Sequence, residues 1–216
     1  MRIDLHTHTF FSDGELIPSE LVRRAMILGH DAIAITDHVD MTNMDVVVPQ
    51  ILKAVELGED YIPVIPGIEL THVPPSKIDA AVKKARKMGV EIIVVHGETV
   101  TEPVAPGTNL TSVKNPEIDI LAHPGFLTME EADLAASNDV LIEISGRLGH
   151  NITNGHVAKM ALLVGAKMVV NSDAHSPGNL MDEERAMKVA MGAGLSKQEA
   201  EKAINVNPYE RIKHLL

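Results

Sequence analysis

The stretch Asp4–Gly14, DLHTHTFFSDG, sets His6 and His8 two residues apart directly after a short apolar run, with Asp13 five residues beyond His8. Alternate side chains of an extended chain point to the same side, so both imidazoles reach one point from the end of a strand. That is a metal-ligand geometry. The pair alone fits two surface histidines equally well, and the rest of the chain has to decide.

Working outward, apolar run after apolar run ends in the same way. Asp31–Thr36 leads to Asp37 and His38, and Tyr61–Ile68, made irregular by Pro63 and Pro66, delivers Glu69. Glu91–Val95 ends at His96, and Ile118–Ala122 leads into His123. Val140–Ile144 is followed by SGRLGHN, which carries Arg147 and His150, and Lys167–Val170 opens into NSDAHSPG, which carries Asp173 and His175. Helices are expected between these runs, at 18–28, 45–57, 76–88, 129–136, 154–164, 182–191 and 196–204. Gly29, Gly58, Gly89 and Gly165 stop four of them, and Pro18 suits a first turn. Pro49 has to sit near the start of its helix or break it, while Ser196 and Glu199 have capping-box spacing. Residues 97–116 have no period and read as a long functional loop.

Strand and helix alternating seven times predict parallel strands with right-handed crossovers. Eight polar residues (His6, His8, His38, Glu69, His96, His123, Asp173, His175) lie at the carboxyl ends of six of the seven strands. A closed barrel brings those ends around one mouth, whereas an open sheet would hold its edge strands too far apart. The expected fold is therefore an α/β barrel of seven strands, a TIM-like (β/α)7 arrangement, in a single domain over residues 1–216.

Composition narrows the function. A chain of 216 residues with 45% hydrophobic content is long enough for one well-buried core. It has no cysteine, so any transition-metal site must use His, Asp and Glu. The net charge of −11 and the five aromatics, two Tyr and three Phe, disfavour long nucleic acid as a partner. No apolar run suits a signal peptide or reaches the ~18 residues of a membrane span. A soluble, cytoplasmic protein is expected, and nothing in the sequence bears on oligomeric state.

The segments HTH, SDG, TDH, PGIE, VVH, AHP and NSDAH, in this order and spacing, resemble the polymerase and histidinol phosphatase (PHP) family from His6 to His175. The resemblance implies a distorted seven-stranded barrel holding up to three divalent metal ions, whether Zn, Mn or Fe. Carried over, His6, His8, Glu69 and Asp173 hold one ion. Glu69 bridges to a second ion on His96 and His123, and Asp13, His38 and His175 hold a third. Some relatives have histidine where this chain has Asp13, and a carboxylate there favours a harder ion such as Mn²⁺.

Six imidazoles and three carboxylates around three divalent ions leave a formal charge of about +3, which suits a phosphate. The implied activity is hydrolysis of a small phosphomonoester, histidinol phosphate being one candidate, by a hydroxide bridging two ions, with Glu69 and Asp173 at the reacting centre. Arg147 and His150 are expected to clamp phosphate or leaving group. Two alternatives stay open: a phosphodiesterase or nuclease acting on nucleotides or short oligonucleotides, and a non-catalytic barrel within a nucleic-acid assembly. The second ranks last because all nine ligand positions are filled. Asp4 and Asp37 adjoin ligand positions and could orient imidazoles, Glu143 is expected to hydrogen-bond within the barrel, and His30, His72, His156 and His214 are expected to have no metal role.

Overall fold

The computed structural model describes residues 1–216, apart from the side chain of Glu59. Its strands are β1 (Arg2–Asp4), β2 (His30–Ile35), β3 (His38–Val39), β4 (Val64–Leu70), β5 (Ile92–His96), β6 (Ile120–Ala122), β7 (Leu141–Ser145) and β8 (Met168–Asn171). All pairings are parallel, in the order β1-β2-β4-β5-β6-β7-β8, giving a nearly closed TIM-like barrel of seven strands, with β3 added beside β4. The eighth strand has a local cause. The β2–β4 ladder reaches Ile35 opposite Pro66, which has no N–H to continue it, and pairing resumes with His38 opposite Glu69.

The barrel does not close through a regular ladder between β1 and β8. Above them a single bridge joins Thr7 and Ala174, with His8 N–H donating to Ala174 O (2.9 Å) and Asp173 N–H to His6 O (3.0 Å). Below it, buried side chains take over. Asn171 Oδ1 accepts from Leu5 N–H (3.0 Å) and Asp4 accepts from Ser172 N–H (3.2 Å). Arg2 donates to Asp4 (2.7 Å) and to the carbonyls of Ile3 (2.6 Å), Val170 (2.9 Å) and Met181 (3.3 Å).

Alternation along each strand splits the core in two. Ile3, Leu5, Ala32, Ala34, Ile92, Val94 and Val169 fill the barrel, and Ile33, Ile35, Ile93, Val95, Ile142 and Val170 face the helices. The helices are α1 (Pro18–Ile27), α2 (Met44–Ala54), α3 (Pro75–Lys87), α4 (Thr108–Val113), α5 (Met129–Ser137), α6 (Asn154–Val164), α7 (Glu183–Gly192), α8 (Lys197–Glu201) and α9 (Asn207–Ile212).

Besides β3, three features depart from the sequence-based expectation. Pro49 lies inside α2 without ending it. The 97–116 segment contains α4, whose start is capped from a distance: the Glu98 carboxylate accepts from Gly107 N–H (2.9 Å) and Asn109 N–H (3.0 Å). The last helix runs past Ile204 through a π turn, Lys202–Val206, into α9, where Pro208 sits in the first turn. Ile212 of α9 then joins the barrel-filling cluster. No helix among the described residues is long and apolar enough to cross a membrane.

Gly97, directly after His96, is fixed by close approach. A Cβ there would collide with the Ala122 carbonyl oxygen and stand 2.8 Å from Pro124 Cα, both backbone atoms. Gly97→Ala is expected to cost about 1–3 kcal/mol in urea-induced unfolding. A cost below about 0.5 kcal/mol would contradict this packing.

Candidate metal centre at the barrel mouth

His6 and His8 share a side because Thr7 between them is pinned to β2, its N–H on Thr36 Oγ1 (3.0 Å) and its hydroxyl on Ala34 O (2.6 Å). Glu69 lies in β4, His96 ends β5, His123 follows β6, and Asp173 and His175 follow β8. His123 (φ 29°) and Asp173 (φ 50°) adopt left-handed backbone, a strained conformation for such residues and one that often accompanies function. Asp13 sits on a turn held by Asp37, which accepts from Thr9 N–H and Oγ1 (2.7 Å each) and Ser12 Oγ (2.6 Å). Asp37 therefore positions a carboxylate-bearing turn, not an imidazole, and Asp4 likewise serves the barrel seam.

The nine residues expected as ligands converge in three overlapping groups. In the first, Glu69 Oε2 lies 3.4 Å from His6 Nε2 and 3.6 Å from His8 Nε2, and Asp173 Oδ1 lies 3.7 and 3.3 Å from the same two atoms. In the second, Glu69 Oε1 lies 3.1 Å from His96 Nδ1 and 3.4 Å from His123 Nε2. In the third, Asp13 Oδ1 lies 3.4 Å from His38 Nε2 and 3.1 Å from His175 Nε2.

Two donors about 2.0–2.1 Å from one ion at tetrahedral angles stand about 3.4 Å apart. The observed separations fit that value. Several of these atoms, His6 Nε2 and both nitrogens of His8 among them, are buried without a hydrogen-bond partner. Buried polar atoms rarely go unsatisfied, and groups of three or more of these side chains could hold a divalent ion.

The electrostatics suit a centre that exchanges protons for cations. Burial would raise the Glu69 carboxyl, but His6, His38 and His96 hold it well below the usual range. Burial lowers His96, yet Glu69 and Glu102 outweigh it and raise the imidazole to about 10. His8 goes the other way: burial and the neighbouring His38 and His175 push it well below its ordinary value. His6 Nδ1 is oriented by Glu143 Oε1 (2.7 Å), whose carboxylate also accepts from Asn171 Nδ2 (2.9 Å) and His123 N–H (3.1 Å). Glu143 thus holds the ring of one expected ligand and the backbone of another.

Arg147 and His150 both line a cavity of about 400 Å³ at this mouth. Arg147 contacts His175 Nδ1 and lies 3.7 Å from Asp173 Oδ1. His150 is buried, stacked on His123 at 4.1 Å between ring centres and hydrogen-bonded to Thr99 Oγ1 (2.8 Å). Burial, His123 and His96 push its imidazole down to about 3. Sequence reasoning missed Glu102, whose Oε2 lies 3.0 Å from His96 Nε2 and 3.5 Å from His72 Nε2. His72, expected to have no metal role, groups with His96 and Glu102 in an arrangement that could hold an ion. His30 and His156 instead bond backbone carbonyls, of Ala25 and Leu127.

The chain is 50% identical to an uncharacterized protein of Methanocaldococcus jannaschii over 218 residues, with all of both chains covered. It is 32% identical to Ribonuclease P protein component 3 of Methanosarcina barkeri over 93% of this chain and 84% of that one. Among solved structures, it superposes on histidinol phosphate phosphatase of Lactococcus lactis, crystallised with zinc, L-histidinol and phosphate, with a TM-score of 0.65 and 18% identity, covering 90% of this chain and 94% of the other. The PHP domain profile matches residues 4–161, and the chain belongs to the PHP domain family.

Proposed function

We propose that the chain is a metal-dependent phosphoesterase acting on a small phosphomonoester, with His6, His8, Asp13, His38, Glu69, His96, His123, Asp173 and His175 as its metal ligands. The observation that carries this reading is the convergence of His6, His8, His96 and His123 on Glu69 and Asp173, at separations that suit shared ions. When bound, divalent ions supply Lewis-acid polarisation of the phosphoryl oxygens and acidify water.

The remaining work falls to the chain. Glu69 presents Oε2 to His6 and His8 and Oε1 to His96 and His123, so one carboxylate would serve both groups of ligands. Asp173, at the cavity wall, is placed to take a proton from the attacking water, and the Arg147 guanidinium holds the phosphate oxygens. A cavity of about 400 Å³ suits a small ester. Residues 1–216 act as one domain, and the absence of cysteine suits the cytoplasm.

The test is turnover of a panel of phosphomonoesters and diesters by protein loaded with Mn²⁺ or Zn²⁺, beside a His96→Ala, His123→Ala double variant. Turnover no greater than that of the variant ends the enzyme reading. Within an active protein, Arg147→Ala is expected to raise KM about tenfold with kcat changed less, and Arg147→Lys to recover part of the loss. An unchanged KM would remove Arg147 from the phosphate site.

A second reading has its own support. The 32% identity to a Ribonuclease P protein component is consistent with a role inside a ribonucleoprotein assembly. Against it stand the net charge of −11 and the complete donor set. Salt-dependent RNA binding by a protein with no esterase activity would favour that reading over the first.

A further inference from the structure

His96 turns its two ring nitrogens to different groups. Nδ1 lies 3.1 Å from Glu69 Oε1, within the second group of proposed ligands. Nε2 faces the other way, 3.0 Å from Glu102 Oε2 but outside hydrogen-bond geometry, and it is buried without a hydrogen-bond partner. A buried nitrogen in that state is satisfied by a cation where a carboxylate out of line leaves it orphaned.

The donors around it lie outside the nine proposed ligands. Glu102 Oε2 lies 3.5 Å from His72 Nε2, and Glu102 Oε1 lies 3.4 Å from His150 Nε2. The donor atoms of His72, His96 and Glu102 all fall within 4.8 Å of one another. These separations suit donors that share one tetrahedral ion, which stand about 3.4 Å apart. None of the segments that carry the family resemblance contains His72, Glu102 or His150.

The positions are also held in advance. His72 follows β4 in left-handed backbone (φ 52°), as His123 and Asp173 do among the nine. His150 is buried, and Thr99 Oγ1 on its Nδ1 (2.8 Å) leaves Nε2 toward Glu102. The loop that carries Glu102 is anchored by Asn109 Nδ2, which donates to Pro124 O (2.8 Å), and by Glu98 at the start of α4. Among the described residues, the Glu102 carboxylate pairs with imidazoles and with no lysine or arginine.

We propose that His72, His96, Glu102 and His150 form a further metal site at the cavity wall, separate from the nine-ligand set and selective for Zn²⁺ over Mn²⁺. Three imidazoles and one carboxylate at tetrahedral spacing are a zinc donor set, whereas Mn²⁺ prefers oxygen ligands in higher coordination. When both its nitrogens hold ions, His96 binds as imidazolate and its ring proton passes to solvent. The site goes beyond the phosphoesterase reading and stands or falls without it.

The test counts metal and assays no turnover. Protein stripped with EDTA is dialysed against micromolar free Zn²⁺ or, separately, Mn²⁺, and bound metal is measured by elemental analysis for the intact chain, His72→Ala and Glu102→Gln. Both side chains are more than a third exposed, so neither substitution empties a core position, and circular dichroism melts check folding. The intact chain is expected to hold about one Zn²⁺ more than either variant, with Mn²⁺ content equal in all three. Equal zinc contents would overturn the site. A Mn²⁺ content that falls together with the zinc would overturn it too, because Glu102 would then act on the nine-ligand set through His96. Crystals of the zinc-loaded intact chain decide the matter without variants: an anomalous zinc peak bonded to His72 and Glu102 is expected, and its absence sinks the proposal.

Discussion

Glu69→Gln is expected to lower kcat/KM for phosphomonoester hydrolysis by about a thousandfold or more and to leave the purified protein short of bound metal. The size of the effect follows from how many groups share this one carboxylate. Its Oε2 lies 2.7 Å from His38 Nδ1 and within reach of His6 and His8, and its Oε1 serves His96 and His123. An amide keeps the shape but halves the acceptor capacity and turns an NH₂ toward imidazoles or cations. It also removes the charge that holds His6, His38 and His96 around it. Elemental analysis of the metal content separates two outcomes that activity alone merges. If the variant keeps its full metal complement and still loses activity, Glu69 acts at the reacting atoms. If activity persists within tenfold, the shared-carboxylate assignment is wrong. The side chain is fully buried, so a thermal melt must accompany the assay.

The convergence of the strand-end residues was legible because they follow apolar runs whose direction and parallel pairing are set by local pattern. Once β4, β5 and β6 pair side by side, Glu69, His96 and His123 have to meet. What escaped depended on contacts made at a distance. Nothing in 97–116 repeats with a helical period, and α4 forms because Glu98 reaches forward to cap it. Glu102, in that same segment, has no pattern to mark it and is brought to His96 only by the loop's tertiary anchors. α9 lay beyond the expected end of the last helix at residue 204, because the chain reaches it only through a π turn that no local period marks. The short β3 turns on Pro66 of a neighbouring strand, a residue that read only as a sign of irregularity in its own.

Arg2 is the clearest case, because a charge near a chain end reads as solvated, yet here it is fully buried at the barrel seam. Burial lowers the guanidinium pKa from its usual value, with Asp4 opposing it. The side chain donates to Asp4 and to three backbone carbonyls, of which Val170 belongs to β8, where β1 and β8 share no ladder. Arg2→Met is expected to cost about 3–5 kcal/mol in urea-induced unfolding, the range for breaking a buried pair by removing one partner. Most of that cost is the stranded Asp4 carboxylate, so adding Asp4→Leu to Arg2→Met is expected to restore part of the stability rather than lower it further. A single-variant loss below about 1 kcal/mol would mean that water, not Arg2, satisfies the seam. Metal affinity is expected to fall alongside stability, because Asp4 also holds Ser172 N–H and the next residue, Asp173, bonds His6 O across the same gap. The seam that closes the barrel is thus also what keeps Asp173 facing His6 and His8. A variant that unfolds more easily yet binds Mn²⁺ as tightly as the intact chain would separate those two roles.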